Sequence, residues 1–126
     1  MDPRQTVLAF WQDINMQLYD RLPQYFSPVA NIFWHNSNER FNPEEFQRVY
    51  QAYGGAWHVE VERILSSEGS IISITNAKNS KAEGLHRAVS FFEFEDGYIR
   101  TLHEYWNRIG CAPDWRHDQG IGHNIF

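Results

Sequence analysis

The feature that most constrains the fold is a pair of long segments joined by Asp96-Gly97. Both segments, Leu85–Phe94 and Tyr98–Arg108, contain many aromatic and β-branched residues. Asp-Gly between two such runs is a strong signal for a two-residue hairpin loop. A hairpin of this length is stable only when further strands or helices cover one of its faces. The rest of the chain must therefore supply those elements.

Two amphipathic helices are predicted in the first half of the chain. Asp2 and Pro3 form an N-cap and first-turn pair, and the apolar residues that follow repeat at helical spacing as far as Leu18. A second helix is predicted to begin after Asn42, because Pro43 suits the first helical position and Glu45 completes a capping box. Gly54-Gly55 is expected to end it.

Further strands are predicted at Asn31–His35, Trp57–Leu65 and Ile71–Asn76. The tail from 109 to 126 is polar and irregular, and Trp115 is expected to anchor it. The order of helices, strand, helix and antiparallel meander predicts an α+β fold with helices on one side of a curved sheet and a hollow between them. A length of 126 residues predicts one domain, 1–126.

Charge and composition narrow the possible partners and location. The formal net charge is -5 and the basic residues are scattered, which argues against nucleic acid. The single cysteine suits a reducing compartment, and no apolar run is long enough to span a bilayer. We therefore expect a cytoplasmic protein without a membrane partner. Aromatic residues make up 16% of the chain, and large rings line cores, ligand pockets and interfaces.

The hairpin loop also predicts a register for its two strands. Glu95 would lie opposite Tyr98, and a regular ladder would then place Val89 opposite Glu104 and Arg87 opposite Trp106. Arg87 and Glu104 would form a diagonal charge pair among rings, which either locks the fold or serves a ligand. The other face is more polar and would suit a homodimer interface; it carries Ser90, Thr101, His103, Tyr105 and Asn107.

Several segments together resemble the SnoaL-like branch of the nuclear transport factor 2-like superfamily. They are the hairpin from His86 to Ile99, Glu104-Tyr105-Trp106, Ala112–Arg116, and the junction from Tyr25 to the strand ending Phe33-Trp34-His35. The resemblance implies a cone-shaped α+β barrel, commonly dimeric through the outer sheet face, with a deep pocket between the helices and the concave face. Members include polyketide cyclases, ketosteroid isomerases and limonene epoxide hydrolases, so the fold does not fix the function.

The resemblance also points to particular site residues. In the epoxide hydrolases an aspartate on the last strand, two residues before an aromatic residue, helps to activate water, and Glu104 stands at that place here. In the isomerases the general base ends the first strand, where this chain has Trp34 followed by His35. The missing carboxylate counts against a steroid-isomerase mechanism.

Three candidate catalytic residues follow from these arguments: His35, Glu104 and Arg87. His35 is expected at the mouth of the pocket, where an imidazole is a common acid or base, and Arg87 would orient Glu104 or an anionic intermediate. Whether His35 or Trp34 faces inward depends on the register of the first strand. The expected lining of the pocket is Phe10, Trp11, Trp34, Phe46, Tyr50, Phe91, Leu102 and Trp106.

Two functional hypotheses remain open at this point. One is an acid/base enzyme of the cyclase, isomerase or hydrolase type that acts on a small apolar organic molecule without a cofactor. The other is a non-catalytic ligand-binding or dimerisation module. No metal site is predicted, because His103 and Glu104 are strand neighbours that point to opposite faces, and His58 with Glu60 would supply only two ligands.

Overall fold

The computed structural model describes all 126 residues. Its helices are α1 (Pro3–Asn15), a 3₁₀ helix (Tyr19–Tyr25), α2 (Pro43–Tyr53) and α3 (Asp114–His117). Its strands are β1 (Phe26–Trp34), β2 (Glu39–Phe41), β3 (Trp57–Ser67), β4 (Ser70–Asn79), β5 (Ala82–Glu95) and β6 (Tyr98–Arg108). They form one sheet in the order β2-β1-β6-β5-β4-β3, in which β1 and β6 are parallel and the other neighbours are antiparallel. The predicted α+β class is confirmed. No helix is both long enough and apolar enough to cross a membrane.

Both long helices begin where the capping residues predict. The Asp2 carboxylate accepts a hydrogen bond from the Gln5 backbone N–H, and the Asn42 side chain accepts one from the Glu45 backbone N–H, each at 2.8 Å. The side chains of Gln5 and Glu45 bond back to the cap residues, so both helices have a complete capping box. The second helix ends at Gly54, whose φ of 79° lies in the left-handed region.

The sequence-based prediction was wrong for three individual segments. Strand β1 begins at Phe26 rather than Asn31 and includes Pro28, which lies where the pairing with β6 is interrupted and no ladder N–H is required. Strand β2 was missed because it has only three residues. Trp115 does not anchor the tail, since it is 60% exposed and its ring stacks with the guanidinium of the adjacent Arg116.

The core is centred on Phe10 of α1, which is fully buried. Its ring lies 4.9 to 6.4 Å from five other rings, which belong to Trp11, Tyr25, Phe26, Phe46 and Phe92. Full burial of one such side chain stabilises the fold by about 1.5–3 kcal/mol. Helix α1 lies on β3 and β4, and α2 lies on β1 and the 3₁₀ helix. The N-terminal helix therefore fills much of the concave face.

The β5–β6 hairpin begins in the predicted register and then leaves it. Glu95 pairs with Tyr98 as expected, but a β-bulge leaves Arg100 without a partner on β5. Beyond the bulge, Glu104 lies opposite Ser90, so the predicted pairing with Val89 is wrong. Successive side chains of a strand point to opposite faces. One extra residue in β6 therefore reverses which side chains of β5 lie on the same face as a given β6 side chain beyond the bulge.

The reason for the bulge is burial. Ile99 and Leu102 are both fully buried, yet residues three apart on a regular strand point to opposite faces. The unpaired Arg100 between them allows both to face the helices. The same shift turns Phe92, Ser90 and Ala88 of β5 inward.

The Asn42 cap can be tested for its contribution to stability. Replacing Asn42 by alanine leaves the backbone N–H of Glu45 without its partner, and we expect the free energy of unfolding to fall by about 0.5–2 kcal/mol. Urea denaturation followed by circular dichroism measures this change. Arg48→Ala, at an exposed position of the same helix, is the control; an equal loss in both variants would contradict the role of the cap.

Candidate functional site

Two of the three predicted catalytic residues lie on the outer face of the sheet. Arg87 donates from Nε to Asn76 Oδ1 at 3.0 Å and forms an ion pair with Glu62 at 3.3 Å. His35 Nε2 lies 2.8 Å from His103 Nδ1. The predicted convergence of His35 and Arg87 with Glu104 is therefore wrong.

The reasons for these positions are the registers of β5 and β1. The bulge at Arg100 turns Arg87 away from the helices. In β1, Trp34 is aligned with Glu104 and faces inward, so that the following His35 faces outward. The end of the first strand thus presents an indole to the interior.

A cavity of about 260 Å³ lies between α2, the loop after β1 and the ends of β3, β5 and β6. Most of its wall is apolar; the lining residues are Trp34, Asn36, Ser37, Glu39, Val49, Tyr50, Tyr53, Trp57, His86 and Trp106. An apolar cavity of about 150 Å³ holds one benzene molecule, and ordinary ligand pockets begin at about 300 Å³. The size suits a molecule of one or two rings.

The predicted lining residues divide into three groups. Trp34, Tyr50 and Trp106 line the cavity as expected. Four residues pack in the core or against it instead of lining the cavity: Phe10, Trp11, Phe46 and Leu102. Phe91 lies on the outer face and is 37% exposed, because the bulge turns Phe92 inward in its place.

Sequence reasoning overlooked Trp57 and His86. Trp57 is the first residue of β3, directly after the glycines that end α2. His86 shares the inner face of β5 with Ala88 and Ser90, and the correct register would have revealed it. The spacing of Ile99 and Leu102 was the available signal for that register.

Glu104 does not itself line the cavity: it has no accessible surface and lies behind Trp34 of the cavity wall. Trp34 Nε1 donates a hydrogen bond to its Oε1 at 2.9 Å, and Ser90 Oγ donates one to its Oε2 at 2.6 Å. Burial raises the pKa of Glu104, while the hydrogen-bond donors Ser90, Trp34 and Trp106 lower it to a smaller extent. Glu104 forms no ion pair, so its carboxyl group holds a proton more readily than an exposed glutamate.

Two residues that line the cavity, Tyr50 and His86, have a buried polar group without a hydrogen-bond partner. The Tyr50 hydroxyl is buried without a hydrogen-bond partner, and its pKa is raised well above the ordinary value by burial and by the nearby Glu104 and Tyr19. His86 Nδ1 also lacks a partner. Each unsatisfied buried group costs about 1–3 kcal/mol, and such groups are expected where a ligand supplies the missing bonds.

The sequence matches no protein-family model and no curated protein. Among solved structures, a proposed ketosteroid isomerase from Kribbella flavida aligns with a TM-score of 0.80 at 18% identity, over 97% of this chain and 88% of that one. A protein of unknown function from Burkholderia xenovorans, described as NTF-2 like, gives 0.78 at 22% identity over 96% and 94%. A proposed SnoaL-like polyketide cyclase from Shewanella putrefaciens gives 0.67 at 11% identity over 80% and 77%.

The chain has the nuclear transport factor 2-like fold. The fold implied by the resemblance of the hairpin is therefore confirmed, and SnoaL-like proteins are among those that share it. In this chain, one buried carboxyl lies beside an aromatic cavity, and Trp34 occupies the end of the first strand.

The raised pKa of Glu104 predicts a pH-dependent stability. Between the ordinary pKa near 4.5 and the higher pKa of the folded state, the folded chain binds more protons than the unfolded chain, so stability falls as pH rises. Glu104→Gln removes this contribution. Urea denaturation gives the unfolding free energy of the wild type and of Glu104→Gln at each pH. We expect the wild-type value minus the variant value to decrease as the pH rises above 4.5.

The exposed Glu95, on the neighbouring strand β5, provides the control, Glu95→Gln. A wild-type advantage over the Glu104 variant that stays constant from pH 4 to pH 8 would contradict the raised pKa. Far-ultraviolet circular dichroism at each pH verifies that both variants remain folded before denaturant is added.

Proposed function

We propose that the protein binds a small, uncharged, mainly apolar organic molecule in the aromatic cavity and moves a proton on it without a cofactor. Glu104 is the proton-transferring group. The observation that carries this proposal is a fully buried carboxyl without a counter-ion, beside the Tyr50 hydroxyl and the cavity wall. Carboxyl groups whose pKa is shifted by burial are concentrated at functional sites.

The cavity favours a neutral molecule. Glu39 lines it, Glu104 lies behind its wall, and neither lysine nor arginine lines it. An anionic ligand would therefore lie near two carboxyl groups without a compensating cation. A ketone or a similar carbonyl compound fits this electrostatic setting.

The polar groups suit proton transfer next to a carbonyl group. A carboxylate with a raised pKa is a better base than an exposed one, because its pKa lies nearer to the working pH. The Tyr50 hydroxyl has no partner in the chain and is free to donate to a ligand oxygen on which negative charge develops. Solved structures of this fold include proteins named for isomerase and cyclase activities, which supports this class of reaction.

A non-catalytic binding module is the second candidate. The observation that favours it is the absence of accessible surface on Glu104, whose carboxyl is covered in the unliganded chain. In that case the bonds from Trp34 and Ser90 to Glu104 would serve only to fix the cavity wall. Catalysis requires a movement of the lining rings that brings the ligand to the carboxyl.

Exchange of the α-protons of 2-tetralone in D₂O distinguishes these functions. This neutral bicyclic ketone has acidic α-protons whose replacement by deuterium is followed by proton NMR. We expect the wild-type protein to accelerate exchange and Glu104→Gln to lower that acceleration by about 10²–10⁴-fold while binding is kept. Glu93→Gln, which removes a carboxyl from the outer face, is the matched control.

Each outcome selects one function. Binding without faster exchange in the wild type supports the non-catalytic module, and an unchanged rate in Glu104→Gln excludes Glu104 as the base. Failure of 2-tetralone and of other neutral one- and two-ring ketones to bind contradicts the proposal as a whole. Saturation-transfer NMR measures binding independently of exchange.

We also propose that the outer sheet face forms a homodimer interface. Phe91 and Tyr105 are 37% and 41% exposed there, and their rings contact each other edge to face. Phe33, His35 and His103 extend the patch by ring stacking. A contiguous exposed aromatic patch of this kind is typical of an interaction surface.

Sedimentation velocity tests the dimer. We expect a dimer for the wild type and a monomer for Phe91→Glu, because the substitution places a charge in the aromatic patch. Val29→Glu, at an exposed apolar position on β1, should leave the dimer intact. A wild-type monomer at micromolar concentration would contradict the proposal.

A further inference from the structure

His86 occupies a distinct place in the cavity wall. It lies on the inner face of β5, between Ala77 of β4 and Arg108 of β6 in the sheet register. Its ring contacts Trp57 edge to face with centroids 5.7 Å apart, and both residues line the cavity. The imidazole is thus part of the wall formed by the sheet.

His86 and Glu104 lie at opposite ends of a strip on the inner face of the sheet, which runs along β5 from His86 through Ala88 to Ser90. His86 and Ser90 are four positions apart on β5, which corresponds to about 13 Å along the strand. Ser90 donates its hydrogen bond to Glu104. Between them is Ala88, a fully buried small residue opposite Trp106, so the middle of the strip is apolar.

The chemistry of His86 suits a hydrogen-bond acceptor. Burial lowers its pKa, and the nearby Arg108 guanidinium lowers it further, which favours the uncharged imidazole. A neutral imidazole has one donor and one acceptor nitrogen. Its Nδ1 is out of contact with solvent and has no partner in the chain. A rotation of the ring about the Cβ–Cγ bond would offer this nitrogen to a molecule in the cavity.

We infer that His86 is a specificity-determining residue that accepts a hydrogen bond from a hydroxyl group of the ligand. The inference rests on the proposed function and narrows its ligand class to hydroxylated carbonyl compounds of one or two rings. The carbonyl oxygen lies towards Tyr50 and Glu104, and the hydroxyl lies at the other end, against His86. Aromatic walls from Trp34, Trp57 and Trp106 enclose the apolar body between the two groups.

A matched pair of ketones tests this arrangement. 2-Tetralone and 6-hydroxy-2-tetralone differ by one hydroxyl at the end remote from the carbonyl, and isothermal titration calorimetry gives the Kd of each. We expect the wild type to bind the hydroxylated ketone about three- to tenfold more tightly, as for one added buried hydrogen bond. His86→Phe keeps an aromatic ring but removes the acceptor, and should abolish this preference.

Two further variants show whether the acceptor itself is responsible. His86→Asn places an amide near the position of Nδ1 and should retain part of the preference. His58→Phe, at an exposed position on β3, should leave it unchanged. Binding of 2-tetralone itself should be unchanged in His58→Phe, and the ratio of the two Kd values within each His86 variant, rather than either Kd alone, measures the preference.

The failures of the two proposals are distinguishable. If the wild type binds both ketones equally, or if His86→Phe keeps the preference, the role of His86 is wrong while the cavity remains a binding site. If neither ketone binds to the folded wild-type protein, the proposed function fails and the inference fails with it.

Discussion

The unpaired Arg100 in β6 determines which side chains of the long hairpin face the helices. It allows Ile99 and Leu102 to enter the core together, and it shifts β5 by one residue beyond the bulge. Arg100 is itself tied to the neighbouring strand, because its Nη1 donates to the Val29 carbonyl at 2.8 Å. Without this shift Glu104 would meet Val89, which has no hydroxyl. The hydrogen bond from Ser90 and the inward position of His86 both depend on it.

The close packing of α1 explains why the cavity is small and lies to one side. Phe10 reaches the rings of both the helices and the sheet, so the middle of the concave face is filled by protein. The aromatic cavity lies towards the second half of α2, where the small, buried Ala88 is paired with Trp106 across the sheet. The same aromatic residues that predicted a large pocket therefore supply the core that limits its size.

Signals within a few residues of each other predicted the helices and the hairpin loop, whereas the position of the site residues depends on the register of β5 and β6, which is set by the whole sheet. The caps at Asp2 and Asn42 and the loop at Asp96-Gly97 each act within a few residues, and they agree with the structure. The register of a strand is set by which of its two faces is buried against the rest of the fold. In β5, phenylalanine occupies both 91 and 92, so the sequence of that strand alone does not show which face is buried. Choosing the wrong face misplaced Arg87 and Phe91 and concealed His86.

The carboxyl group of Glu104 helps to decide whether the buried cluster of Trp34, Ser90 and Glu104 has only a structural role. A residue that merely fixed Trp34 and Ser90 would need an acceptor for the indole N–H and a partner for the hydroxyl. A glutamine amide offers both and carries no ionisable group, so its burial would be less costly than that of a carboxyl. The carboxyl adds a proton that can be gained and lost, in an environment that raises its pKa. That property contributes nothing to a structural lock and is what proton transfer to a bound molecule requires.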